Sequence, residues 1–275
     1  MDTFDYILKL NSIRGAIVAN AKRPDPSWVR ITTITMCSKF LENIDLPKFK
    51  ENFAKLGSVF VRRKGSSFRG FEWKMKETAF YNQVTIGYED HSSRKSIKIF
   101  PNGSIQVAGC ADLFDCRRII RQLSFILGFV LECDHAIPVD AVSVKMINTN
   151  FSLNSSVNLN LIIATLSQNR VMTSDGFKVA FKVAYNPDRY SAVKVKFAPG
   201  EGMKQVTASI FSTGKIIVTG AQTLAEIASA YEILNKALSD NVLVKPVAQP
   251  EAFDTIMGAK FDEWVAVLKR SRGQL

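Results

Sequence analysis

Lys98, Phe100 and Gln106 fall on one side of two candidate strands. Lys194, Lys196, Ser209, Phe211, Lys215, Ile217 and Thr219 fall on one side of three more. Ammonium groups pair with anions, and large apolar side chains standing among them call for a partner that is both charged and apolar. Catalytic chemistry is poorly supplied. The 2 histidines, His91 and His135, lie in separate regions, and nothing else completes metal-ligand spacing around Cys133-Asp134-His135. There is no phosphate-cradling glycine loop, no HExxH pair and no nucleophile elbow. Asp112 and Asp115 fall at a helix start, where carboxylates complement the dipole. These residues point to binding and not to an enzyme, with no cofactor and no metal.

The bulk numbers agree with binding. A chain of 275 residues can bury a large core, and 47% hydrophobic with 22% charged residues is ordinary for a globular protein. A net charge of +11 favours a polyanion, either nucleic acid or an anionic membrane surface. A merely basic soluble protein is the alternative. The most apolar run, 123–130, is too short to cross a bilayer and follows Arg117, Arg118 and Arg121. Asp2 and Asp5 do not suit a signal peptide. Cys37, Cys110, Cys116 and Cys133 read as reduced, mostly buried thiols of an intracellular protein. Cys116 lies on an apolar helical stripe, as a core thiol would.

The elements that must position these side chains occur twice. Ile99, Phe100, Gly103, Ile105, Val107 and Gly109 recur at a constant offset as Ile210, Phe211, Gly214, Ile216, Val218 and Gly220. At that offset Leu113, Cys116, Ile120, Leu123 and Leu127 become Leu224, Ile227, Tyr231, Leu234 and Leu238. A register kept through hairpin and helix implies two copies of one folding unit. Alternation and turn residues predict strands at 29–35, 59–62, 68–75, 83–88, 96–100 and 104–109, with helices at 46–56 and 111–128. The second half repeats the order: strands at 142–148, 171–173, 177–181, 191–197, 205–212 and 215–220, helices at 157–166 and 223–239. A short helix at 4–10 precedes them. An extended segment with Pro246 follows, then a helix built on Phe253, Met257, Phe261, Trp264 and Leu268. The expected organisation is α+β: an N-terminal extension (1–25), repeats at 26–138 and 139–240, and a C-terminal extension (241–275). Ile97, Ile99, Ile105 and Val107, with Ala208, Ile210, Ile216 and Val218, should meet the helices. The opposite sheet face has no cover of its own, unless another sheet packs on it.

The run Tyr185-Asn186-Pro187-Asp188-Arg189-Tyr190-Ser191-Ala192-Val193, followed by 208–221 with Phe211, Gly214 and Gly220, resembles the core motif of the TATA-box-binding protein family. The likeness is strong in the second half, good over 96–128, and loose before that. It implies a pseudo-twofold saddle, a curved antiparallel sheet with helices on its convex face, acting as a monomer with internal pseudo-symmetry. It also implies aromatic wedges against the minor groove at Tyr190 and Phe211, and by repeat symmetry at Tyr81 and Phe100, with Phe80 the alternative to Tyr81. Lys98, Lys194, Lys196 and Lys215 would neighbour phosphates.

Specificity residues depart from the family. Where it usually places asparagine in the first strand of each repeat, this chain has Thr33 and Met146, with Thr35 and Asn148 two residues on. The rest of the groove floor reads Gln106, Ala108, Ile217 and Thr219. Gln106 can accept a hydrogen bond from the guanine amino group, so relaxed or altered preference is expected. The resemblance implies a general transcription factor that bends promoter DNA, acting in the nucleus or at another site of viral or cellular transcription. Its partners would be transcription factor IIB-like and IIA-like proteins, met at Asp188, Glu77 and Asn82, with no membrane involved. A saddle-fold interaction scaffold that has lost DNA bending is the alternative, and a nucleic-acid enzyme's binding domain is a third reading.

Overall fold

The structure is a computed structural model, and it describes residues 2–20, 24–56, 71–77, 80–90, 94–133, 137, 142–168, 171–173, 176–238, 240–246, 263, 265–267 and 269–271. The chain opens with α1 (Thr3–Asn20), β1 (Arg30–Lys39), α2 (Leu46–Leu56) and β2 (Phe71–Lys76). Then come β3 (Val84–Asp90), β4 (Arg94–Ile99), β5 (Ser104–Cys110) and α3 (Leu113–Val130). They are followed by β6 (Ser143–Ser152), β7 (Ser155–Val157), α4 (Leu159–Gln168), β8 (Val171–Met172), β9 (Lys178–Val179) and β10 (Lys182–Ala184). The last are β11 (Val193–Phe197), β12 (Val206–Ile210), β13 (Lys215–Ala221), α5 (Leu224–Ala237) and β14 (Leu243–Pro246). No helix among the described residues is long and apolar enough to cross a membrane.

The chain divides into a first unit, Thr33–Ile147, and a second, Met1–Thr32 with Asn148–Leu275. In the first unit the strand order is β1-β5-β4-β3-β2, every pair antiparallel. Alternation puts Ile86, Ile97, Ile99, Ile105 and Val107 on one face, all buried, against α3 with Ile120, Leu123 and Leu127. Each such side chain contributes about 1.5–3 kcal/mol when taken from water. Helix α2 packs on α3 through Phe49 and Phe53, and the Asn52 side chain donates to the Val130 carbonyl at 2.8 Å, closing the helix C-terminus.

Behind β4 sits an ion cluster. The Lys95 ammonium, 0% exposed, meets Asp115 at 3.0 Å, and Arg118 meets the same carboxylate at 2.8 Å. Arg118 also donates to the Tyr88 hydroxyl at 2.9 Å. Burial would raise the Asp115 pKa, but the hydrogen bonds from Lys95 and Arg118 outweigh it and hold the carboxyl below its ordinary value.

In the second unit β13-β12-β11-β10 are neighbours in that order, with β6 beside β13, and two small ribbons pair β7 with β14 and β8 with β9. Helix α5 lies on β13 and α1 lies on α5. Thr223 and Glu226 form a reciprocal capping box at the start of α5. The buried Glu226 carboxylate also accepts backbone N–H groups of Lys204 (3.0 Å) and Gln222 (2.6 Å). Tyr231 packs edge to face on Phe151 and donates its hydroxyl to the Ser27 carbonyl at 2.9 Å.

Most expected elements occur with shifted ends. Helix α1 runs to Asn20 instead of stopping at 10, because Tyr6, Leu10 and Ile13 step along one buried side against α5. The strand expected at 177–181 is shortened to β9, and a further strand not expected from the sequence, β10, follows it and pairs with β11 instead of β8. The expected strand at 59–62 lies outside the described residues, as do Phe253, Met257, Phe261, Trp264 and Leu268, while 263, 265–267 and 269–271 are helical. Two hairpin glycines are obligatory: Gly103 and Gly214 adopt φ of +76° and +79°. A Cβ there would lie 1.5 Å from the Leu41 carbonyl oxygen or 1.9 Å from that of Ser155.

Candidate nucleic-acid interface

Cross-strand register assembles the candidate face in each unit. In the first, one row runs Lys76, Thr85, Lys98, Gln106 and Cys37, and the next runs Lys74, Gly87, Ser96, Ala108 and Thr35. Lys98, Gln106 and Ala108 are half-buried although they lie in the middle of the sheet, whereas Ile97, Ile105 and Val107 beside them are sealed. Thr33 is half-buried and Thr35 buried opposite Ala108. Burial raises the Cys37 thiol above its ordinary value against the pull of Lys145, so a neutral thiol stands beside Gln106. The stem of Lys76 crosses Gly87, whose missing side chain leaves room: a Cβ would come within 2.6 Å of Lys76 Cε. At the far end of the strands Glu89 pairs with Arg94 at 3.1 Å, so the acidic groups are kept apart from the lysines.

In the second unit the rows are Lys182, Lys196, Thr207 and Thr219, then Ala184, Lys194, Ser209 and Ile217. Ile217 and Thr219 are half-buried, and Lys182, Lys194, Lys196 and Lys215 are exposed. The Thr219 hydroxyl donates to the Thr207 carbonyl at 3.4 Å, which occupies its one donor within the sheet. Lys182 stands directly opposite Lys196, an arrangement that destabilises a sheet unless an anion lies over it. Met146 and Asn148 are half-buried on β6, Met146 in the first unit and Asn148 in the second.

The aromatic residues sit at the ends of these strands. Phe100 and Phe211 each close a hairpin: the Phe100 N–H donates to Ser104 O and the Phe211 N–H to Lys215 O, both at 3.0 Å. Both rings are half-buried. Tyr190, 38% exposed, is held by its N–H on Asn186 O at 3.0 Å. Its ring lies 5.7 Å from that of Phe211, inclined at 70°, and the Lys194 ammonium rests 4.9 Å from the Tyr190 ring centre. In the first unit Tyr81 is 91% exposed and Phe80 63% exposed, both in the bend before β3. Both rings therefore reach solvent in that bend. Asp188 and Glu77 are exposed on the same loops, as is Asn82.

Three cations on this face escaped sequence reasoning: Lys74, Lys76 and Lys182. Lys74 lies on the strand expected at 68–75, but Lys76 and Lys182 lie just beyond the expected strands, and the neighbours of all three depend on register. Of the trio Cys133-Asp134-His135, Cys133 is exposed and the other two lie outside the described residues, as does His91. Phe114, Phe125 and Phe129 are exposed on α3, on the opposite side of the first unit from the lysine rows.

Among solved structures, a TBP of Methanococcus jannaschii covers 76% of this chain and 97% of its own, with 15% identity and a TM-score of 0.47. A TATA-box-binding protein-like protein of Acanthamoeba polyphaga mimivirus is 28% identical over 241 residues, 77% of this chain and 65% of that protein, so the match spans just under two thirds of the relative's length. Residues 142–241 match the family described as transcription factor TFIID, or TATA-binding protein. The family match over 142–241 and the similarity to the viral relative support a divergent TBP-like protein.

Proposed function

We propose that this protein is a TATA-binding-like general transcription factor that binds promoter DNA through the minor groove and bends it to nucleate transcription initiation. The observation that carries the reading is the lysine-bearing sheet face with the Tyr190–Phe211 ring pair at its end. In this reading each unit contacts DNA through its own lysine-bearing face. Wedges at Phe100, Phe211, Tyr190 and Tyr81 enter base steps. Unstacking a step costs a few kcal/mol, offset by the extra surface that a bent duplex wraps. Lys74, Lys76, Lys98, Lys182, Lys194, Lys196 and Lys215 neutralise phosphates.

The groove floor supports relaxed preference. Thr33, Thr35, Gln106, Ala108, Met146, Asn148, Ile217 and Thr219 replace the family's usual set with a more polar first unit. Gln106 beside the Cys37 thiol can accept the guanine amino group, which an apolar floor would exclude. Transcription factor IIB-like and IIA-like proteins would meet the loops carrying Asp188, Glu77 and Asn82. Energy transfer between dyes on the two duplex ends tests the reading. The intact chain should bring the ends together, and Phe100→Ala with Phe211→Ala should abolish the effect. Binding without bending would instead identify an interaction scaffold.

A further inference from the structure

Cys110 is the last residue of β5, and Cys116 lies in the first turn of α3. Both are 0% exposed, and their sulfurs are 2.6 Å apart. That separation is well inside the distance at which unbonded sulfurs rest and approaches the covalent spacing of about 2.05 Å. Local geometry creates the encounter. Gly109 takes φ of +95°, turning the end of the strand, and Asp112 caps α3, so the helix begins directly over the residue that has just left the sheet.

Packing alone does not require the sulfurs. At the equivalent step of the second unit, Gly220 takes φ of +100°, Thr223 caps α5, and Ala221 and Ile227 occupy the two positions, both buried. Strand end and helix therefore meet in both units, but only the first places two thiols there.

We propose that Cys110 and Cys116 form an oxidisable pair that closes to a disulfide, tying the end of β5 to the first turn of α3. The proposal stands apart from the DNA reading. The oxidant is a small disulfide such as oxidised glutathione. One cysteine thiolate attacks it, forming a mixed disulfide and releasing one glutathione thiolate, which takes up a proton. The second cysteine, as its thiolate, then attacks the protein sulfur of that mixed disulfide and displaces the other glutathione. Two protein thiols are oxidised and one glutathione disulfide is reduced to two thiols. The hydrogen bond between the cysteines, with burial, pushes the Cys116 thiol far above its ordinary value. Exchange therefore runs through the opened turn or during folding, and the closed fold shields the finished bond. A cross-link over so short a loop should raise the melting temperature by about 5 °C.

The test is refolding of the reduced full chain in glutathione buffers of increasing disulfide-to-thiol ratio, followed by acid quench, alkylation and peptide mass spectrometry. The expected product is a peptide joining Cys110 to Cys116, two hydrogens lighter than its reduced form, whose share rises with the ratio. The exposed Cys133 should carry only a glutathione adduct. The Cys110→Ala/Cys116→Ile double variant, which copies the second unit, should melt at a temperature independent of the ratio. Recovery of both cysteines as alkylated thiols, or as separate adducts, at the most oxidising ratio would overturn the proposal. The peptide readout on the unaltered chain decides the matter even if the double variant does not fold.

Discussion

The Tyr190 and Phe211 rings meet edge to face at 5.7 Å, joining the loop before β11 to the hairpin after β12. The pairing fixes both rings at the end of the lysine-bearing face before any ligand arrives. Edge-to-face pairs contribute about 0.5–1.5 kcal/mol beyond their buried area. Tyr190→Ala and Phe211→Ala should therefore weaken DNA binding less in combination than the sum of their single effects. A double-mutant cycle on duplex affinity should give a coupling of about 1 kcal/mol, and strict additivity would show that the rings act separately.

The lysine register predicts salt dependence. Lys182 and Lys196 face one another across β10 and β11, so both should sit over the same stretch of phosphate backbone. Each replaced by alanine should lower the slope of log affinity against log salt by about 1, uniformly across sequences. Lys95 lies on the other face, buried against Asp115. Lys95→Met should leave that slope unchanged in titrations at several salt concentrations.

Gln106 tests sequence preference. It is flanked by Lys98 and Cys37 in the middle of the first unit's sheet. Gln106→Val should sharpen the preference for A·T over G·C at the step it covers by about 1–3 kcal/mol. Competition between duplexes differing by one base pair measures this. An unchanged ratio would remove Gln106 from the groove floor.

Asp115 governs the acid limb of stability. Its pKa is lowered in the folded chain by Lys95 and Arg118. The associated stability is fully present above the unfolded carboxyl value of about 3.9 and is lost as pH falls through the lowered folded value. Asp115→Asn leaves the Lys95 ammonium buried and should cost about 3–5 kcal/mol near neutral pH. Urea unfolding at several pH values should show the variant's stability falling less steeply in acid than that of the native chain.

Tyr6 offers a test of the α1 packing. Its hydroxyl is buried with no hydrogen-bond partner among the described residues, and burial drives its pKa above the ordinary value. Removing an unsatisfied buried group relieves a penalty of about 1–3 kcal/mol. Tyr6→Phe should therefore match or exceed the native chain in stability by chemical denaturation, whereas Tyr6→Ala should lose about 3 kcal/mol through the cavity it leaves on α5.

Period-two alternation and the paired glycines were legible because they are local. Which residues of β5 and β13 are sealed and which are half-buried follows from the pleat. Gly103 and Gly214 mark hairpins because only glycine fits φ near +76° to +79° with a carbonyl so close. The full length of α1 was not legible. Ile7, Leu8, Ile17 and Val18 spread apolar residues round the helix, so no single stripe announces the side formed by Tyr6, Leu10 and Ile13.

Sequence by itself determined the order of the main strands and helices, though not β7 or β10, the sealed face of each hairpin, the surplus of positive charge, and the family resemblance of the second half. Those properties are written in neighbouring residues and in composition. Tertiary structure alone decided that Lys182 faces Lys196, that Lys74 and Lys76 join the rows of Ala108 and Gln106, that Tyr190 rests on Phe211, and that two cysteines converge under α3. Each of these depends on strand register or on where a helix lands after a turn. Both are set by the packing of distant segments, to which no short window of sequence has access.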